Sequence, residues 1–197
     1  MNLSSKKLLI GIDEAGRGPL AGPVTLAAVV CPKTVARAVF KGIKDSKRLS
    51  FKAREAWLEK MKNHPGILYC SASVGASTID RIGIAPSIRR AIGRILAHEK
   101  IKKLGRVKIL LDGSLKAPEK YLQKTVIKGD EKIPIIAAAS IVAKVSRDRK
   151  MARFSRVFPE YAFDVHKGYG TRLHYKMLKK HGLCGIHRKS FLAKILN

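Results

Sequence analysis

Apolar runs separated by glycine, proline and charge set out the elements of this chain. Leu8–Asp13 is an apolar run ending in acid, the pattern of a buried strand, and Val24–Val30 is a second, rich in β-branched residues. The Gly- and Pro-bearing stretch Gly16–Pro23 between them predicts a hairpin-like connection. Ser50 is a candidate cap for a helix running to Met61, with Ala53, Trp57, Leu58 and Met61 on one side. Ile67–Val74 returns as a strand. Ser77 and Asp80 have the spacing of a capping box. After Pro86, Ile88, Ala91, Ile92, Ile95 and Leu96 fall on one helical face, Lys100 lies elsewhere on the same helix, and Gly105 is its stop. Val107–Leu111 is a short apolar strand running into Asp112, and Thr125–Ile127 another, followed by Lys128-Gly129-Asp130. Ile135–Arg149 is an alanine-rich helix, and Phe154–Asn197 holds short helical pieces. This order predicts an α/β fold, a mixed sheet flanked by helices with a small helical C-terminal extension. The division expected is residues 1–152 and 153–197, the second part packed on the first.

Charge narrows the function. The 197 residues hold 41 Lys and Arg against 14 Asp and Glu, a formal charge of +27. So basic a chain of this size points to a polyanionic partner, bound through counter-ion release. Aromatic content of 6% speaks against a single-strand stacking platform. Cys31, Cys70 and Cys184 show no CxxC spacing, which argues against a disulfide framework or a structural zinc site. No apolar run approaches the ~18–20 residues of a membrane span, and Met1–Lys7 leads into no signal-peptide core. A cytoplasmic protein with no membrane partner is expected.

The rare acids carry the chemistry. Asp13 and Glu14 close the first strand, Asp112 closes a central one, and Asp130 follows another. Carboxylates converging at strand ends repel each other unless a cation neutralises them. A hard oxygen donor set without His or Cys favours Mg²⁺ or Mn²⁺, and two such ions in a basic groove form a phosphodiester-hydrolysing arrangement. In a regular strand Asp13 and Glu14 point to opposite faces, so both reach one ion only if the strand end twists or Glu14 ligates through a backbone carbonyl. Gly16-Arg17-Gly18, just after the acid pair, offers small residues and free amides for close approach to a ligand. A non-catalytic nucleic-acid binder accounts for the charge equally well, but not for the acids.

Longer motifs then form a pattern. Gly11–Val24 reads GIDEAGRGPLAGPV; Asp45-Ser46-Lys47 follows; then Leu110–Gly113, Lys128-Gly129-Asp130 with Ala137–Asp148, His166–Thr171 and Ile186–Phe191. In this order they resemble the ribonuclease HII family along nearly the whole chain. The resemblance implies a ribonuclease H-like fold. It implies an endonuclease that cuts the RNA strand of RNA/DNA hybrids and cuts at single ribonucleotides embedded in duplex DNA. It places Asp13, Glu14, Asp112 and Asp130 as metal-binding catalytic acids. Gly16, Arg17 and Gly18 fall on the loop that senses the ribose 2′-hydroxyl, and Tyr169 on the tyrosine at the RNA–DNA junction. Lys47 and Lys167 are candidate phosphate contacts. Lys144 and Asp148 have the spacing of an i, i+4 pair, and His166 and His187 are read as structural hydrogen-bonding residues. Phe191–Asn197 does not read as a sliding-clamp peptide, so that partner is not expected; the size of the chain makes a monomer without an obligate protein partner the expectation.

Overall fold

The computed structural model describes residues 8–105 and 107–196. The start Met1–Lys7 lies outside the described residues, as does Asn197 at the end of the Phe191–Asn197 segment. Strand β1 (Leu8–Ala15) pairs antiparallel with β2 (Val24–Pro32), which pairs antiparallel with β3 (Leu68–Val74). On its other side β1 runs parallel to β4 (Val107–Asp112), which runs parallel to β5 (Gln123–Val126), giving the order β3-β2-β1-β4-β5. β1 as far as Ile12, and β2 apart from Thr25, are apolar because helices cover both faces of the sheet centre; every residue of β2 is buried. The edge strand β5 has exposed polar residues instead.

Between β2 and β3 lie α1 (Lys33–Val39), a 3₁₀ turn (Ser46–Arg48) and α2 (Phe51–Lys62), whose cap is Ser50: its hydroxyl accepts from the Ala53 amide at 3.2 Å. Then come α3 (Ala76–Ile82), α4 (Ile84–Leu96) and the single turn α5 (Glu99–Lys102). Ile88, Ile92 and Ile95 of α4 pack under Ile10, Ile12, Leu26 and Ile109 to form one core. The second core, on the opposite face, belongs to α7 (Pro134–Val157), which follows the short α6 (Gly129–Lys132). α7 starts against β1: a Cβ at Gly11 would lie 2.3 Å from the Ile135 carbonyl oxygen, so only glycine permits this approach. The C-terminal part contains a 3₁₀ turn (Pro159–Tyr161), α8 (Phe163–His166), α9 (Arg172–His181) and α10 (Lys189–Leu196). Ala21, Met151, Tyr161 and Phe163 form a small cluster joining it to the loop after β1. Among the described residues no helix is long and apolar enough to cross a membrane.

Three local expectations are corrected. Gly75, not Ser77, precedes α3, and Ser77 lies inside the helix. Asp80 instead accepts from the amides of Lys189 and Ser190, at 2.9 and 3.0 Å, and so caps α10 across the fold. The helix predicted from Pro86 to Gly105 is two helices: it begins at Ile84 and breaks after Leu96, with His98 extended (ψ 130°), so Lys100 lies on α5. The break returns Ile101 to the core, and burial of that side chain outweighs the lost helical bonds. The alanine-rich helix runs beyond Arg149 to Val157, taking Phe154 from the extension.

Candidate active site

Parallel pairing of β1 and β4 aligns Ile12 with Leu111, so the next residues, Asp13 and Asp112, stand side by side at the carboxyl ends of adjacent strands. Asp130 arrives from β5 through a left-handed Lys128 (φ 54°) and the start of α6. The Gly129 amide donates to Asp112 Oδ1 at 2.6 Å, which ties the turn to the strand end. The turn packs closely there: a Cβ at Gly129 would lie 2.7 Å from Ile136 Cδ1 and would push that side chain aside. One carboxylate oxygen each from Asp13, Asp112 and Asp130 falls within a group whose members all lie within 4.8 Å of one another.

Asp13 and Asp130 are buried. Burial first, then the negative charges of Glu14, Asp112 and Asp130, hold the Asp13 carboxyl well above the usual range. Burial, then Asp112 and Asp45, raises Asp130. Three crowded, mutually repelling hard oxygen donors fit a divalent cation of the Mg²⁺ or Mn²⁺ type, which would remove the repulsion.

Glu14 stands outside this trio. Its amide donates to Asp13 Oδ1 at 2.7 Å, and its carboxylate pairs with Arg17 at 3.4 Å. Burial raises the Glu14 pKa against the pull of Arg17. Lys47 projects from the 3₁₀ turn with its side chain 79% exposed, and its ammonium lies 3.6 Å from Asp130 Oδ2. Asp45 fixes this turn by accepting from the Lys47 amide at 3.1 Å. Burial opposes the Lys47 charge, but Asp45, Asp130 and Asp13 together outweigh it and raise its pKa.

The loop between β1 and β2 is held from below by two arginines with no solvent exposure. Arg188 donates to the carbonyls of Gly16 (2.6 Å), Arg17 (2.8 Å) and Gly22 (3.0 Å). In a trans peptide the N–H points opposite to the C=O, so the Arg17 and Gly18 amides face away from that buried guanidinium. Arg147 donates to Pro23 and Ala21 carbonyls at 3.0 and 3.1 Å. Gly16 (φ 87°) lies against it: a Cβ there would be 2.0 Å from Arg147 Nε. Gly18 faces open space, and Arg17 reaches Ser114 Oγ at 3.2 Å. Tyr169 is 41% exposed and lies over Arg147, whose guanidinium carbon is 5.5 Å from the ring centroid. Arg147 thus touches both the glycine loop and Tyr169. Lys167, left-handed at φ 53°, donates to the Asp164 carbonyl at 2.7 Å; the structure does not bring it to the acids.

The chain matches the Ribonuclease HII family model over residues 10–194. The chain belongs to the ribonuclease HII family. It is 44% identical over 192 residues to the ribonuclease HII of Caldicellulosiruptor saccharolyticus, covering 96% of this chain and 89% of that one. To that of Coxiella burnetii it is 39% identical over 187 residues, with 95% and 89% covered. Among solved structures, the ribonuclease H2 of Pyrococcus horikoshii OT3 superposes with a TM-score of 0.74 at 25% identity, covering 95% and 96%. The ribonuclease HII of Archaeoglobus fulgidus, solved in complex with PCNA, gives 0.73 at 27% identity, covering 92% and 93%. The mixed sheet described above is therefore a ribonuclease H-like fold, and a ribonuclease HII is a nuclease whose family uses divalent metal ions.

Residue-by-residue reading of the chain did not single out Arg188 or His174. Arg188 acts on residues more than 160 positions away, so no local spacing marks it. Lys144 and Asp148 make the expected i, i+4 pair at 2.9 Å. His166 and His187 are hydrogen-bonded within the C-terminal part.

Proposed function

We propose that this ribonuclease HII cuts the RNA strand of RNA/DNA hybrids and cuts 5′ of a single ribonucleotide embedded in duplex DNA. The observation that carries this reading is the Asp13–Asp112–Asp130 trio, with Asp13 and Asp130 buried, beside a glycine loop whose amides face away from its anchor. The basic surface holds the duplex by its phosphates without reading base sequence. The 2′-hydroxyl distinguishes RNA from DNA, and the Arg17 and Gly18 amides, with Tyr169, receive that sugar. Asp13, Asp112 and Asp130 hold the divalent ions, joined by Glu14 when Arg17 turns to the nucleic acid. When bound, two Mg²⁺ or Mn²⁺ ions supply an activated water for in-line attack and stabilise charge on the leaving oxygen. The products are a 3′-hydroxyl and a 5′-phosphate. Because the 2′-hydroxyl is recognised rather than used as nucleophile, no cyclic phosphate forms.

Lys47 and Lys167 contact the phosphate backbone in this reading. Residues 1–152 carry the catalytic part, and residues 153–197 supply Tyr169. The protein works as a monomer in the cytoplasm, removing ribonucleotides from DNA during replication and repair. The test is cleavage of a DNA duplex with one ribonucleotide, in Mg²⁺ or Mn²⁺, beside EDTA and an Asp112→Asn variant. A metal-dependent cut 5′ of the ribonucleotide, absent from the variant and from an all-deoxy duplex, is the expected result. Equal cutting of the all-deoxy duplex, or tight binding without a cut in either metal, overturns it.

A further inference from the structure

Behind Tyr169 lies a buried group of imidazoles whose protons can be assigned from their partners alone. The Cys184 amide can only donate, and it donates to His187 Nδ1 at 2.9 Å. Neutral His187 therefore carries its proton on Nε2, which faces His174 Nε2 at 3.0 Å. His174 Nε2 accepts that proton, so its own proton sits on Nδ1, 2.9 Å from the Tyr169 carbonyl. A carbonyl can only accept, so both ends of the chain impose the same direction. His166 follows the same logic: its Nδ1 accepts from the Gly168 amide at 3.1 Å, and Nε2–H donates to the Tyr161 carbonyl at 2.7 Å.

These bonds fix the main chain of the segment that carries the Tyr169 ring. The Tyr169 amide donates to the His166 carbonyl, and its own carbonyl is held by two donors, the Thr171 amide at 2.8 Å and His174 Nδ1 at 2.9 Å. The Gly168 carbonyl accepts from the Leu20 and Ala21 amides, which belong to the loop held by Arg147 and Arg188. Gly168 is required for that contact, since a Cβ would lie 2.4 Å from the Ala21 carbonyl oxygen. The His166 and His174 rings stack at 4.3 Å, with Phe163 against both, so the group is buried and close-packed.

We propose that His187 and His174 form a proton-ordered pair that positions Tyr169 for sugar recognition, acting through its main-chain carbonyl rather than touching the substrate. The proposal rests on the reading of Tyr169 as a sugar contact. It makes His174 a specificity-determining positioning residue in a part of the chain remote from the acids. Ring volume alone does not meet the requirement: a second donor, beyond the Thr171 amide of the local turn, must face the Tyr169 carbonyl and tie it to the imidazole group.

The experiment measures kcat/KM of the full-length protein on the single-ribonucleotide duplex for wild type, His174→Phe, His174→Asn, Tyr169→Ala and the His174→Phe/Tyr169→Ala double variant. His174→Phe keeps an aromatic ring and removes the donor; a displaced Tyr169 is expected to lower kcat/KM about tenfold or more. His174→Asn, which places an amide N–H near the Nδ1 position, is expected to recover most of that loss. In the Tyr169→Ala background His174→Phe is expected to have no further effect, because the two act as one unit. Equal losses in both backgrounds, or no loss in His174→Phe, overturn the proposal. Should the variants fail to fold, long-range ¹H–¹⁵N spectra of the wild type decide. The expected result is a proton on Nε2 in His187 and on Nδ1 in His174, and the opposite tautomers overturn it. A wild type that cuts ribo- and deoxy-substituted duplexes equally rejects the functional reading instead, leaving the tautomers unaffected.

Discussion

The acid cluster at the strand ends and the arginine–histidine framework behind the two loops are built on opposite terms. In the first, Asp13, Asp112 and Asp130 crowd like charges together, and burial pushes Asp13 and Asp130 toward the neutral form. In the second, the Arg188 guanidinium has three carbonyl partners and both ring nitrogens of His166, His174 and His187 are paired. The second region satisfies these groups with its own atoms, although Arg147 Nη1 stays buried without a partner, whereas the first is relieved by a cation or by protons. A nuclease of this kind needs both, because a site that stores repulsion must be held by surroundings that do not move.

The comparison breaks most sharply at Asp13. Asp13→Asn is expected to lose cleavage by about a thousandfold, as several kcal/mol of transition-state stabilisation disappears. Its thermal stability without metal should stay level or rise by about 1 kcal/mol, because a repelling charge is gone. Single-turnover cleavage and calorimetry read the two effects, and a destabilised Asp13→Asn would show the cluster to be structural. Arg188→Leu should do the reverse, leaving three carbonyls without their donor at a cost of about 3–5 kcal/mol in denaturant unfolding. Arg188→Lys should not rescue it, since one ammonium cannot span that fork.

Acid separates the two regions by sign. Burial pushes His174 down to about 4, with His166 and His187 also lowered. The unfolded chain takes up these protons near 6.5, so the histidine contribution is complete above that pH and is lost as pH falls toward 4. His174 alone accounts for up to about 3 kcal/mol of that loss. The raised Asp13 and Asp130 work the other way in metal-free protein: they bind protons more readily when folded, so falling pH stabilises their region. Melting curves between pH 8 and 4.5, with Mg²⁺ and with EDTA, should diverge in slope, and identical slopes would sink the contrast. The smallest effect is expected at exposed Lys47. Lys47→Ala should change stability by less than about 0.5 kcal/mol, while lowering the slope of log affinity against log salt by about one.

Much of the fold was legible because it is written locally. β1, β2 and β4 announce themselves as apolar runs, and the Ile88–Leu96 stripe marks α4, because period and burial follow from each segment's own residues. The misread positions are those where a distant partner decides. Asp80 has the spacing to cap its own helix and caps α10 instead. The α4 helix stops early because Ile101 has a core to return to.

The sequence by itself determined the layered α/β architecture, the basic surface and, through its ordered motifs, membership of the ribonuclease HII family. It put acids at the ends of strands but could not bring them together. Only the parallel pairing of β1 with β4 sets Asp13 beside Asp112, and only the turn after β5 returns Asp130 to them. Likewise only the tertiary structure carries Arg188 to Gly16 and His174 to Tyr169, and turns Glu14 toward Arg17. The physical reason is range: propensity and hydrophobic period act within one or two turns of chain, whereas a site is made of groups that meet only after the chain has closed on itself.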